Sequence, residues 1–253
     1  MRLQGKVAIV TGGGAGMGRA VAEGYAREGA TVVIAEIDAR RGAETVETIL
    51  SFGGDALHTA TDVSDRRDVE AMVQAAIDRY GRIDVLYNNA GVQMIGKDAR
   101  AHELSDEVWE RTIAVNLRGP WLTSRSVIPH MLRQGGGSII HVGSPTGWLG
   151  CAPGYTAYSA SKGGLIGLTR IMAADYGRDN IRVNLLVPGT TETPLIQDVL
   201  LQEGARQRLA AAIPLGRIGA PEDVVGLAVF LASDEARFCT GGVFTIDGGM
   251  SAI

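Results

Sequence analysis

The stretch Val7-Ala8-Ile9-Val10-Thr11-Gly12-Gly13-Gly14-Ala15-Gly16-Met17-Gly18 decides the fold. Its apolar, β-branched start reads as a strand buried on both faces, since a strand with one wet face would alternate. The glycines then let the backbone turn tightly and come close to a ligand. A helical pattern begins at Gly16, so free N–H groups and the positive end of a helix dipole face the turn. Strand, Gly-rich turn and helix in this order form a cradle for a pyrophosphate. Gly12, Gly16, Met17 and Gly18 are its candidate cofactor-binding residues.

The same alternation continues along the chain. Thr31–Ala35, Leu57–Thr61, Val85–Asn88, Ser138–Val142, Arg182–Val187 and Val243–Ile246 read as further strands. Between them, Gly16–Glu28, Arg40–Ser51, Asp65–Tyr80, Asp106–Arg133, Tyr155–Tyr176 and Pro221–Ala232 read as helices. Short buried strands alternating with helices predict an α/β protein, a doubly wound parallel sheet of about seven strands with helices on both faces. No linker or change in composition divides the chain, so residues 1–253 are expected to form a single domain. Thr193–Pro214, helix-like but set between Pro-marked turns, is expected to be a substrate lid.

Composition narrows the function. A net charge of −4 with 21% charged residues gives no basic surface for nucleic acid. No apolar run approaches the length of a membrane span or a signal-peptide core, so a soluble cytoplasmic protein is expected. Cys151 and Cys239 lack metal-ligand spacing, and His130 and His141 have no metal-like partners in sequence, so no metal site is expected.

The strand ends mark where a ligand would lie, because open parallel sheets bind at the carboxyl ends of their strands. Glu36, at the tip of the second strand, is placed to accept hydrogen bonds from the adenosine ribose hydroxyls and to repel a 2′-phosphate, with Asp38 as second candidate. The expected cofactor is therefore NAD, with NADP the alternative raised by the guanidiniums of Arg40 and Arg41. Asp62 and Val63 follow the third strand, where an Asp suits an adenine amino group or a helix cap. Asn88, Asn89, Ala90 and Gly91 follow the fourth, with amides to tie neighbouring strands and small residues that leave room.

Tyr158 and Lys162 stand four residues apart on one helix and share a face. An ammonium near a phenol favours the phenolate. Lowering a Tyr from about 10 by roughly three units takes about 4 kcal/mol, which a Lys and a cationic cofactor can supply together.

Taken in order, Thr11-Gly12-x-x-x-Gly16-x-Gly18, Asn88-Asn89-Ala90-Gly91, Asn116, Ser144, Tyr158-x-x-x-Lys162 and Pro188-Gly189 followed by Thr193 resemble the short-chain dehydrogenase/reductase family over essentially the whole chain. The resemblance implies a three-layer Rossmann fold, often assembled as a homotetramer with a dimer interface on the helices carrying Asn116 and Tyr158. It implies Tyr158 as general acid/base, with Lys162 binding the nicotinamide ribose and lowering the Tyr pKa. Ser144 would hold the substrate oxygen, and Asn116 a water that relays the proton. Pro188, Gly189, Thr191 and Thr193 would lie beside the nicotinamide.

The expected reaction is reversible NAD-dependent oxidation of a secondary alcohol to a ketone by the Tyr158, Lys162, Ser144 and Asn116 relay. The alternatives are an NADPH-dependent keto reductase, such as a 3-oxoacyl reductase, and a non-catalytic nucleotide sensor. The segments Gln93–Glu103 and Trp148–Pro153 look extended relative to the family pattern. Gln93, Met94, Thr146, Trp148, Tyr155 and Leu195 are the expected substrate-pocket residues, with the lid around Leu195–Leu201.

Overall fold

Strand β1 (Val7–Thr11) is buried at every position. Its alternate side chains feed opposite cores: Ala8 and Val10 enter one apolar cluster and Ile9 the other. The computed structural model describes residues 1–252 and shows how the chain covers both faces. β1 leads into α1 (Gly16–Arg27), β2 (Thr31–Glu36), α2 (Ala39–Ser51), β3 (Ala56–Ala60), α3 (Arg66–Tyr80) and β4 (Val85–Asn88). Then come α4 (Asp106–Ile113), α5 (Gly119–Gln134), β5 (Gly137–Val142), α6 (Thr156–Tyr176) and β6 (Ile181–Pro188). Three short helices, α7 (Gln197–Leu200), α8 (Ala205–Ala211) and α9 (Val225–Ala232), precede β7 (Val243–Ile246).

The sheet is seven-stranded in the order β3-β2-β1-β4-β5-β6-β7, and each neighbouring pair is parallel. The chain runs outward from β1 to β3, then crosses back to β4 on the other side of β1. A crevice opens at that reversal, beyond the carboxyl ends of β1 and β4. Tyr25 of α1 and Val229 of α9 pack on one face, and Met72 of α3, Leu122 of α5 and Met172 of α6 on the other. This is the expected Rossmann fold.

Two expected helices differ in detail. The run expected as one helix over Asp106–Arg133 is broken by a π-helical turn, Ala114–Arg118, that carries Asn116. The side-chain bonds of Asn116, described below, tie it to the loop after β4 and to α6, and π-turns often occur at functional positions. The expected Pro221–Ala232 helix opens as a 3-10 turn over Pro221–Val224, with Pro where no N–H is needed. Thr193–Pro214 folds as a 3-10 turn at Pro194–Ile196 followed by α7 and α8. Both cysteines are free thiols. Among the described residues, no helix is long and apolar enough to cross a membrane, and no cluster of His, Cys, Asp or Glu could hold a metal.

Candidate active site

A cleft of about 650 Å³ lies over the carboxyl ends of the central strands. Its first wall is the Gly-rich turn. Gly12 and Gly16 take positive φ angles of 64° and 52°, which side-chain-bearing residues rarely adopt. A Cβ on Gly16 would stand 3.1 Å from the Thr193 methyl, so the segment after β6 folds directly over the turn. Met17 lines the cleft beside them. Gly18 does not, and its expected contact with cofactor is corrected to a packing role. A Cβ there would collide with the Gly12 carbonyl, so this glycine lets α1 approach β1 closely.

Asn89 holds the turn to β4. Its amide nitrogen donates to the carbonyls of Thr11 and Gly12 at 3.1 and 3.2 Å. The Thr11 hydroxyl accepts from the N–H groups of Asn89 and Ala90 at 3.0 and 3.1 Å. These bonds satisfy the backbone where the strands splay. They also leave Ala90 and Gly91 as a low floor.

Glu36 lines the cleft at the tip of β2, and its two carboxylate oxygens accept from the N–H groups of Gly14 and Asp38, both at 3.1 Å. Asp38, the second ribose candidate, is turned away from that role. It caps α2 by accepting from Arg40 N and Arg41 N. Arg41 lines the cleft, but Arg40 does not. Asp62 and Val63 are in place after β3. Burial works to raise Asp62, but hydrogen bonds from Ser64 and the charge of Arg111 outweigh it and hold the carboxyl below its usual range. The helix cap considered for Asp62 falls instead to Asp65. Arg111, which sequence reading missed, lines the cleft and meets Asp62 at 3.3 Å.

Ser144, Tyr158 and Lys162 converge where β5 ends. The Lys162 ammonium donates to the Val142 carbonyl at 2.8 Å and lies 5.7 Å from the centre of the Tyr158 ring. Burial dominates the titration of both groups. Burial pushes Tyr158 up to about 12, against the smaller pull of a hydrogen bond with Ser144. Burial likewise pushes Lys162 down to about 8, because the interior disfavours both charged forms.

Asn116 is buried and lines no part of the cleft. Its Oδ1 accepts from Val92 N at 2.8 Å, and its Nδ2 donates to Val92 O at 2.8 Å and to the Ser161 hydroxyl at 3.2 Å. It therefore braces the strand-end loop against α6. A Cβ on Gly91 would be 3.4 Å from Asn116 Oδ1 and 3.8 Å from Lys162 Nζ, so both groups lie beside Gly91.

Of the expected substrate residues, Gln93, Thr146, Tyr155 and Leu195 line the cleft, as do Pro188, Gly189, Thr191 and Thr193 from the cofactor set. Met94 and Trp148 do not, and both are corrected. The Met94 carbonyl closes a turn by accepting from Lys97 N and Asp98 N. Trp148 is 39% exposed, and Gly147 before it packs on the backbone of Lys162 and Gly163. Ile196 and Val199 of the expected lid line the cleft too, which also gains Ile95, Cys151, Leu209 and Met250.

Asp98 was also missed. Its carboxylate accepts from Ala157 N at 3.1 Å and Tyr158 N at 2.9 Å, capping the start of α6 from a loop 60 residues away. Asp98→Ala is expected to cost about 1 kcal/mol, as other lost caps do. That is a fall of about 2–4 °C in Tm by thermal unfolding. Asp98→Asn, which keeps an acceptor, recovers most of the loss.

The residues fit a nicotinamide dinucleotide, since the left-handed glycines, the free start of α1 and the carboxylate of Glu36 form a cradle that added Cβ atoms would fill. Comparison with known proteins agrees. Residues 12–251 match the family described as enoyl-(acyl carrier protein) reductase. The chain is 41% identical over 250 residues to the 3-oxoacyl-[acyl-carrier-protein] reductase of Thermotoga maritima, covering 99% of both chains. It is 40% identical over 257 residues to 2-(S)-hydroxypropyl-CoM dehydrogenase 3 of Xanthobacter autotrophicus, covering 100% of this chain and 99% of the other. It superposes with a TM-score of 0.93 on a gluconate 5-dehydrogenase from Burkholderia cenocepacia solved with NADP and tartrate, at 33% identity, covering 100% of this chain and 97% of the other. The protein is an NAD(P)-dependent oxidoreductase acting on CH–OH groups, and the chain belongs to the short-chain dehydrogenase/reductase family.

Proposed function

We propose that the protein oxidises a secondary alcohol to a ketone reversibly, with NAD as cofactor and Tyr158 as general base. The convergence of Tyr158, Ser144 and Lys162 at one end of the cleft carries this reading. The bound nicotinamide supplies the hydride chemistry. Tyr158 takes the hydroxyl proton in oxidation and returns it in reduction. Ser144 holds the substrate oxygen, and Thr146 steadies it, with its hydroxyl 3.1 Å from Ser144 Oγ. Lys162 places positive charge behind the phenol and binds the ribose. Lys162 Nζ and Asn116 Oδ1, both beside Gly91, suit a water that passes the proton on. A sensor without chemistry would need none of these groups. The segment from Thr193 to Pro214 acts as the lid.

Glu36 supports NAD over NADP. Its carboxylate, fixed on Gly14 N and Asp38 N, would stand against a 2′-phosphate. Arg41 in the cleft and the NADP-bound relative favour a second reading, an NADPH-dependent keto reductase. Measuring kcat/KM with both cofactors decides between them. A preference for NAD of about tenfold or more is expected, because facing like charges cost several kcal/mol. Glu36→Ser should narrow it, and a wild-type preference for NADP overturns the assignment.

A cytoplasmic homotetramer is the proposed assembly. Trp109 on α4, Trp121 on α5 and Ile171 on α6 are all exposed, which suits faces that close on other copies. Light scattering tests it, and a monomeric mass would refute it.

A further inference from the structure

The charged residues that line the cleft are unevenly placed. Among the described residues they are Glu36, Arg41, Asp62, Arg111 and Lys162. Glu36 and Asp62 end β2 and β3, Arg41 lies on α2, and Arg111 reaches over from α4 to pair with Asp62. All four therefore sit on the β2–β3 side of the reversal. Beyond β4, the one charge is Lys162, and its ammonium is buried and hydrogen bonded to Val142 O.

Much of the remaining cleft lining comes from the loops after β4, β5, β6 and β7 and from α7 and α8. Its apolar members are Ile95, Leu195, Ile196, Val199, Leu209 and Met250. Its hydrogen-bonding members include Gln93, Thr146 and Tyr155, none of them an Asp, Glu, Lys, Arg or His. Two nearby carboxylates are engaged elsewhere. Glu192 pairs with Arg206, and neither lines the cleft. Asp98 is turned onto the start of α6.

We infer that the substrate is a neutral secondary alcohol or ketone with an apolar body, and that carboxylates, phosphates and ammonium compounds are rejected. This rests on the alcohol–ketone reading above. A charge drawn into this half of the cleft would lose its water and meet no counter-charge, which costs far more than burying a methyl group gains. An apolar ring or chain would lie on the lid residues, and a further hydroxyl or carbonyl could use Gln93 or Thr146.

Matched pairs test the inference. Neutral alcohols such as 4-methylcyclohexanol are compared with the carboxylate of the same skeleton, 4-hydroxycyclohexanecarboxylate, and the ketones likewise in reverse. Both cofactors are used. The neutral member is expected to lead in kcat/KM by about 100-fold or more, because the carboxylate is buried unpaired. Leu209→Lys should narrow that ratio by about tenfold, since a partner charge then exists. Equal or better use of the carboxylates overturns the inference and leaves the alcohol–ketone reading standing. Turnover of no alcohol or ketone in either set, by protein that binds the dinucleotide, overturns both.

Discussion

Tyr158→Phe is expected to lower kcat/KM for alcohol oxidation by about a thousandfold, since general acid–base catalysis contributes on this scale. The phenol is the proton acceptor in the proposed reaction, and Phe keeps the ring but has nothing to ionise. Dinucleotide affinity should change by less than about threefold, because the cradle at Gly12, Gly16, Asn89 and Glu36 is untouched. The fold should hold as well. The ring is half-buried at the cleft wall, and its neighbours meet the same surface in Phe. Steady-state kinetics and a dinucleotide titration check the two halves separately. A rate within about tenfold of wild type would remove Tyr158 from the mechanism.

Acid should destabilise the protein through His141, which lies in β5 with no exposure to solvent. Burial, then the charge of Lys162, pushes its pKa down to about 3. The ring accepts from Asn88 Nδ2 at 3.1 Å as a neutral imidazole, and its Nε2 has no partner among the described residues. Unfolded, the same group binds a proton near 6.5. Between those values the unfolded chain holds the extra proton, so stability is lost as pH falls below about 6.5. The loss from this group reaches about 3 kcal/mol by pH 4. Urea unfolding at pH 7 and pH 4 measures it. His141→Gln, which cannot take up the proton, should lose that share of the pH dependence, and an unchanged slope would place the effect elsewhere.

What the sequence discloses follows the range of the interactions. The turn from Val10 to Gly18 is legible because its geometry is set within one strand and one helix. Glu36 is legible as well, since a strand end fixes where its carboxylate stands. Asn116 can be found as a residue, but not as a break in a helix. Ala114–Arg118 has an unremarkable helical composition, and the π-turn goes with bonds to Val92 and Ser161 that lie far along the chain. Asp98 and Arg111 are hidden for the same reason. Each bonds to a segment about 50 to 60 residues distant, and no local pattern marks the pair. Met94 and Trp148 show a different limit. Both lie in irregular loops, where spacing does not say which way a side chain points, and neither lines the cleft.

The phenol of Tyr158 also shows where composition and position part. Lys162 one turn away suggests a depressed pKa, but burial acts on both groups and leaves the phenol high. In the proposed reaction a positive nicotinamide would join Lys162 in favouring the phenolate, so the base is expected to be strongest in the assembled complex. The most direct test is a tyrosinate difference titration, wild type against Tyr158→Phe, with and without NAD. The account predicts no Tyr158 signal below about pH 10 in the protein alone, and a midpoint lowered by about two units or more once NAD is bound. An identical titration in both states would contradict it.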